Sequence, residues 1–284
     1  MMRPPVAILI NFFLLLNTFH AFSQGMNVQQ RAYVQRNNEA AVAIHQNETA
    51  AGWQLIADVI TRGDSSQKNI SLIFSGHDFA EGLPLVAKTL KKLSAKGSFF
   101  FTGDFYRNKN NKAIITSLIA EGHYLGAHSD KHLLYADWNK RDSLLVSKEL
   151  FKKDLLMNYM EMKKFGINFK SASYFLPPYE WYNDSIANWT KETGLQLINF
   201  TPGTLSNADY TWPELKNYRS SKTIYESIMK VANKKGAGLN GFILLIHPGT
   251  DPRRKDKFYK YLPQVIKTLL LKGYTFKRID ELLN

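Results

Sequence analysis

The chain has 284 residues, of which 44% are hydrophobic, 21% charged and 13% aromatic, a globular profile long enough for a substantial core and too rich in aromatic side chains for a disordered polymer. It contains no cysteine, which excludes disulfides, thiolate nucleophiles, iron–sulfur clusters and Cys-ligated zinc, so any metal must be held by His, Asp or Glu. Lys and Arg number 37 against 24 Asp and Glu, a formal charge of +13, but the cations are scattered over predicted helices (Lys91, Lys92, Lys152, Lys153, Lys163, Lys164) without an arginine-rich tract, and no nucleic-acid partner is expected.

Arg3, an apolar run over 6–16 and the small-x-small sequence Ala21-Phe22-Ser23 predict a secretory signal peptide over 1–23. The run is short of the ~20 residues that span a bilayer, so an exported protein, periplasmic or secreted, with no stable membrane span after cleavage is expected. Residues 24–68 read as a helical N-terminal extension, with Trp53, Leu55, Ile56 and Ile60 at helical spacing and Gly63-Asp64-Ser65-Ser66 breaking the pattern. From 69 to 284 short apolar runs alternate with amphipathic stretches. Strands are predicted over 70–74, 98–102, 124–128, 172–176, 195–200, 242–247 and 274–277. Helices are predicted over 83–96, 112–121, 142–165, 183–193, 223–235 and 257–271, five of them ended by Gly97, Gly122, Gly166, Gly194 and Gly273. Six or seven β-then-α units without hairpin signals argue for parallel strands, and a (β/α)-type barrel is favoured over an open doubly wound sheet. In either architecture ligands gather at the carboxyl ends of the strands.

Four of the six histidines beyond the leader fall at those ends: His77 after the first strand of the repeating region, His128 and His132 after the third, and His247 at the sixth. Asp78, Asp104 and Asp130 lie beside them. His128-Ser129-Asp130-Lys131-His132 puts two imidazoles four residues apart, where a turn of helix or a tight loop turns both the same way. Two neutral imidazoles and one carboxylate are a common catalytic metal set, and Asp78 is the natural third member. Trp138, Phe175, Tyr179, Trp181 and Trp212 also sit on strand-end segments, where aromatic faces can stack on sugar rings.

Phe74-Ser75-Gly76-His77-Asp78-Phe79, the His-Ser-x-x-His over 128–132, Pro177-Pro178-Tyr179 and Leu245-Ile246-His247, in this order, resemble the motifs of the NodB-type polysaccharide deacetylases over about residues 69–284. The resemblance implies an α/β fold of the distorted (β/α)7-barrel type. It also implies removal of acetyl groups from a glycan, such as peptidoglycan, chitin-type oligomers or acetylated xylan, with a divalent metal: zinc first, cobalt or nickel as alternatives. Asp78, His128 and His132 then correspond to the metal ligands, His247 to the general acid and Tyr179 to the residue whose backbone N–H holds the oxyanion. Trp138, Trp181 and Asp209 are further candidates on the substrate side, Asp209 at the position of a carboxylate that orients the acidic histidine. Two features depart from the family. Ser75-Gly76-His77-Asp78 replaces its paired aspartates, and Leu176 replaces the arginine that pairs with the basic one. The general base is therefore open, with His77 the first choice, Asp130 the second, and Asp78 a third if it is not a ligand.

Gly236-Ala237-Gly238-Leu239-Asn240-Gly241 matches a dinucleotide-binding fingerprint in letters, but it precedes a strand instead of leading from one into a helix, and it is read as a loop. The sequence thus predicts an exported, metal-dependent carbohydrate deacetylase acting on an acetylated glycan. The alternatives are a glycan-binding protein that kept the cleft without the chemistry, or a hydrolase of another amide or ester.

Overall fold

The computed structural model describes residues 47–48, 52–56 and 59–284; the signal-peptide reading and most of the 24–68 segment lie outside them. Among the described residues no helix is long and apolar enough to cross a membrane. The centre of the fold is strand β4 (Asn69–Gly76), buried at every position after Asn69, as a parallel strand covered on both faces must be. It pairs in parallel with β5 (Ser98–Phe101) on one side and β9 (Phe242–Ile246) on the other. β5 continues in parallel to β6 (Tyr124–Ala127), then β7 (Tyr174–Phe175) and β8 (Gln196–Leu197). Beyond β9 the sheet is extended by β3 (Val59–Arg62), β2 (Gln54–Ile56) and β1 (Asn47–Glu48), all antiparallel. The sheet curls until a bridge joins Ile60 to Ile198, with the Asn199 N–H donating to the Ile60 carbonyl at 2.9 Å. β3 therefore stands between the two ends of the parallel set, and a seven-stave distorted barrel results. A last strand, β10 (Thr275–Phe276), lies beside β4.

The helices cross between these strands: α1 (Leu83–Lys92), α2 (Gly103–Arg107), α3 (Lys112–Ala120), α4 (Lys148–Lys163), α5 (Asp184–Glu192), α6 (Ser221–Ala232), α7 (Leu262–Leu271) and α8 (Ile279–Leu282). Phe74, Phe99, Phe100 and Phe101 fill the core, each wholly buried and each worth roughly 2–3 kcal/mol of apolar burial. At Gly126 a Cβ would meet the Phe100 ring at 2.5 Å, so a small residue is required where β6 packs on it.

The expected helical extension is not what the described part of it forms. Residues 54–56 and 59–62 are strands, and Val59, Ile60 and Thr61 are buried in the barrel wall. Short apolar runs with β-branched residues are ambiguous in periodicity, and here the open side of β9 decides: pairing satisfies backbone groups that a helix would have left exposed. The same pairing means that the barrel begins before residue 69. α4 starts at Lys148, later than the expected 142, because the Ser147 hydroxyl accepts the Leu150 N–H as an N-cap and an Ala136–Leu144 bridge holds the chain before it in another conformation. The glycine-rich 236–241 segment is a turn whose Gly238 and Asn240 carbonyls accept hydrogen bonds from Arg62 of β3, at 3.1 and 2.8 Å.

Candidate active site

The carboxyl ends of β4, β6 and β9 share one rim, and His77, Asp78, His128, His132, Tyr179 and His247 line a single cavity of about 440 Å³ there. The 128–132 segment turns its two imidazoles inward through left-handed backbone at Ser129 (φ 72°) and His132 (φ 54°), a cost that persists only where the surroundings impose it. Those surroundings come from α4. Asn158 Oδ1 accepts the His128 N–H at 2.9 Å, and the Asp154 carboxylate accepts the N–H groups of Asp130 and Lys131 at 3.2 and 3.1 Å. Ser129 Oγ accepts the His132 N–H at 2.8 Å. The rings of His128 and His132 end 5.0 Å apart, and His77 stacks on His132 at 4.7 Å with an interplanar angle of 8°.

The electrostatics suit cation ligation by the imidazole pair. Burial pushes His128 down to about 3 and holds His132 well below the usual histidine range, so both rings are neutral. His128 Nδ1 is 2.8 Å from the Leu176 carbonyl, which can only accept; Nδ1 therefore carries the proton and Nε2 the lone pair. The donors match a divalent cation in kind, but they are not gathered around a common point. Among the described residues no group of three His, Cys, Asp or Glu side chains forms a metal cluster. Asp78, with its side chain 70% exposed, instead lies 3.3 Å from His77 Nε2. The other nitrogen of His77 is 3.1 Å from Thr102 Oγ1, a hydroxyl that also caps α2 by accepting the Phe105 N–H.

Asp209 is the second buried anchor of the cavity. Its Oδ1 accepts a hydrogen bond from His247 Nδ1–H at 2.6 Å and its Oδ2 accepts the His247 N–H at 2.8 Å. The carboxylate thus touches the histidine, not the cavity, and Tyr210 packs edge-on against the same ring at 5.7 Å. Tyr179 and Glu180 are both in left-handed backbone (φ 59° and 50°). The Tyr179 ring rests between His132, at 4.3 Å, and Trp138, at 5.3 Å.

Trp138 lines the cavity, whereas Trp181 is buried behind it against Trp138, under the Arg141 guanidinium. Phe175 is core. Asp130 does not reach the cavity: its Oδ1 accepts from Arg107 at 2.8 Å, and Arg107 also binds Asp104. Both carboxylates raise the Arg107 pKa, Asp130 first. Sequence reasoning missed Thr102, Asn158 and Glu180, as well as Asp251 and Arg253, which line the cavity beyond His247. Following the loop after β9 for six more residues would have found the last two. The buried polar positions Asp154 and Asn158 on α4 carried a readable signal, since polar residues on the core-facing stripe of a helix usually hold something.

A family model described as polysaccharide deacetylase matches residues 62–198. The peptidoglycan-N-acetylmuramic acid deacetylase PdaA of Bacillus subtilis is 27% identical over 80% of this chain and 75% of its own length. Its solved structure superposes with a TM-score of 0.60 at 26% identity, over 80% of this chain and 85% of that one. A peptidoglycan-N-acetylglucosamine deacetylase of Bacillus cereus is 26% identical over 77% of this chain and 90% of its own. A CE4 family pseudoenzyme of Bacillus anthracis shares the fold with a TM-score of 0.63 at 21% identity, covering 81% of this chain and 70% of that one. With the ordered motifs on one barrel rim and these likenesses over most of its length, the chain is similar, as a divergent relative, to the NodB-type polysaccharide deacetylases, family 4 of the carbohydrate esterases.

Proposed function

We propose that the protein is an exported, metal-dependent hydrolase that removes acetyl groups from an acetylated glycan, a cell-envelope polymer being the first substrate to try. The observation that carries this reading is the convergence on one cavity of two neutral imidazoles, His128 and His132, with a third, His247, backed by a buried carboxylate. His128 and His132 would hold a divalent cation, zinc before cobalt or nickel, with Asp78 as third ligand. When bound, the cation supplies a polarised acyl oxygen and a more acidic water.

The chain's own groups do the rest. His77, between Thr102 and Asp78, is the base that takes a proton from the attacking water. The backbone N–H of Tyr179 steadies the oxyanion. His247 gives its Nε2 proton to the departing nitrogen or oxygen while Asp209 keeps the ring oriented and stabilises the imidazolium. Trp138 and Tyr179 offer aromatic surface to a sugar ring. Acetate release from N-acetylglucosamine oligomers, peptidoglycan and acetylated xylan, measured after chelation and after metal add-back, tests the reading; no release from any of them refutes it.

A second reading is favoured by the two departures from the family, Ser75-Gly76-His77-Asp78 where it has paired aspartates and Leu176 where it has an arginine. It makes the protein a glycan-binding module. His77→Ala and His247→Ala separate the two: a binding module keeps its affinity after both changes, whereas the enzyme loses turnover.

A further inference from the structure

The His247–Asp209 pair spans two loops. Asp209 lies in the long segment between β8 and α6, where the only regular structure is a short 3-10 turn over Ser206–Ala208, and His247 opens the loop after β9. A 2.6 Å contact between side chains on separate loops needs both loops fixed, and irregular segments are the more mobile parts of a fold. One side chain ties them. Arg254, seven residues after His247, is 0% exposed. Its Nη1 donates to the Thr211 carbonyl at 2.5 Å, two residues beyond Asp209, and to the Arg219 carbonyl at 3.2 Å. Its Nη2 donates to Arg219 O at 3.2 Å and to Ser221 Oγ at 3.3 Å, and its guanidinium lies 5.3 Å from the Tyr218 ring.

No salt bridge to a carboxylate joins Arg254 among the described residues, and its Nε is buried without a hydrogen-bond partner. A buried guanidinium served by neutral acceptors is a poor way to gain stability compared with an apolar side chain of similar volume. It is a good way to hold two stretches of backbone at a fixed spacing, because its planar fork presents donors in several directions. We infer that Arg254 is a positioning residue: it clamps the Thr211–Ser221 stretch to the loop after β9 and so holds Asp209 on His247 Nδ1.

The inference rests on the role proposed above for His247, but its test does not require turnover. In protein labelled with ¹⁵N-histidine, the low-field proton of the His247 Nδ1–H···Asp209 hydrogen bond, assigned by its loss in Asp209→Asn, should be sharp in the unchanged chain. It should be broadened or lost in Arg254→Met and recovered in part in Arg254→Lys. Where acetate release is measurable, Arg254→Met should lower kcat on an acetamido sugar by about 10²-fold, the scale of a misplaced catalytic group. It should have far less effect on an aryl acetate, whose phenolate leaves without a proton. An unchanged proton signal in Arg254→Met, or equal losses on amide and aryl ester, overturns the inference. Should Arg254→Met fail to fold, Arg254→Lys and Arg254→Gln carry the comparison, with the signal expected to weaken more in the glutamine variant. An inactive unchanged chain with the signal behaving as stated would overturn the deacetylase reading and leave the clamp standing.

Discussion

His128 and His247 are the same side chain set in opposite surroundings by what accepts the Nδ1 proton. In His128 the acceptor is the neutral Leu176 carbonyl, and burial pushes the ring down to about 3, so it presents a lone pair. In His247 the acceptor is the Asp209 carboxylate, which in the proposed reaction would stabilise an imidazolium while Nε2 hands over a proton. Replacing His247 by Ala should lower acetate release from an acetamido sugar by about 10²–10⁴-fold, the usual contribution of a positioned acid. Asp209→Asn should lie between that variant and the unchanged enzyme. The comparison is steady-state kcat on purified protein of matched thermal stability. His123 gives a cleaner test of titration, because it lies outside the site. Burial, followed by the Lys96 charge, pushes it down to about 4, and its Nδ1 accepts the Gly97 N–H at 3.2 Å. The folded ring stays neutral where the unfolded one takes a proton, so its contribution to stability is complete above about pH 6.5 and is lost as pH falls toward 4. The melting temperature of the unchanged chain should therefore fall more steeply between pH 7 and 4 than that of His123→Gln.

Helix α4 shows how an element can serve a site that it never lines. Its apolar residues Phe151, Leu155, Tyr159 and Met162 face the core, and Asp154 and Asn158 on the buried side hold the backbone of the 128–132 segment. The short α2 completes the support. Arg107 on α2 binds Asp130, and Gly103 at its start passes so close that an added Cβ would lie 1.8 Å from Asp130 Oδ1. Gly103→Ala should accordingly destabilise the fold by about 1–3 kcal/mol, the cost of overpacking a filled site, read as a lower urea midpoint at unchanged slope. Periodicity made α4 legible as an amphipathic helix, with its start misplaced by six residues. It could not say that Asp130, two residues from each imidazole, turns away to Arg107, because that depends on where α2 lies in space.

For the whole molecule, the barrel is the device that converts scattered residues into one cavity. The ends of β4, β6 and β9 meet on one rim because the strands are parallel and the sheet curls closed through Ile60 and Ile198. If that cavity holds a cation in its donor set, a divalent metal should raise the melting temperature and a chelator reverse the rise, since a ligand bound only by the folded state stabilises it by mass action. Thermal denaturation with zinc, cobalt and nickel, against His128→Ala as control, measures this without any substrate.

By itself the sequence determined the alternation of strands and helices from 69 onward, the placing of His77, His128, His132 and His247 at strand ends, and the family motifs. All of these are encoded locally, in the periodicity of apolar residues and in short strings of fixed order. Only the tertiary structure decided that residues 54–56 and 59–62 are strands closing the barrel, that Asp209 belongs to His247 and Asp130 to Arg107, that Trp181 lies behind the wall, and that Asp78 stands 3.3 Å from His77. Each of these is a choice among partners distant along the chain, settled by which backbone edge or buried charge stood within reach after the sheet had curled.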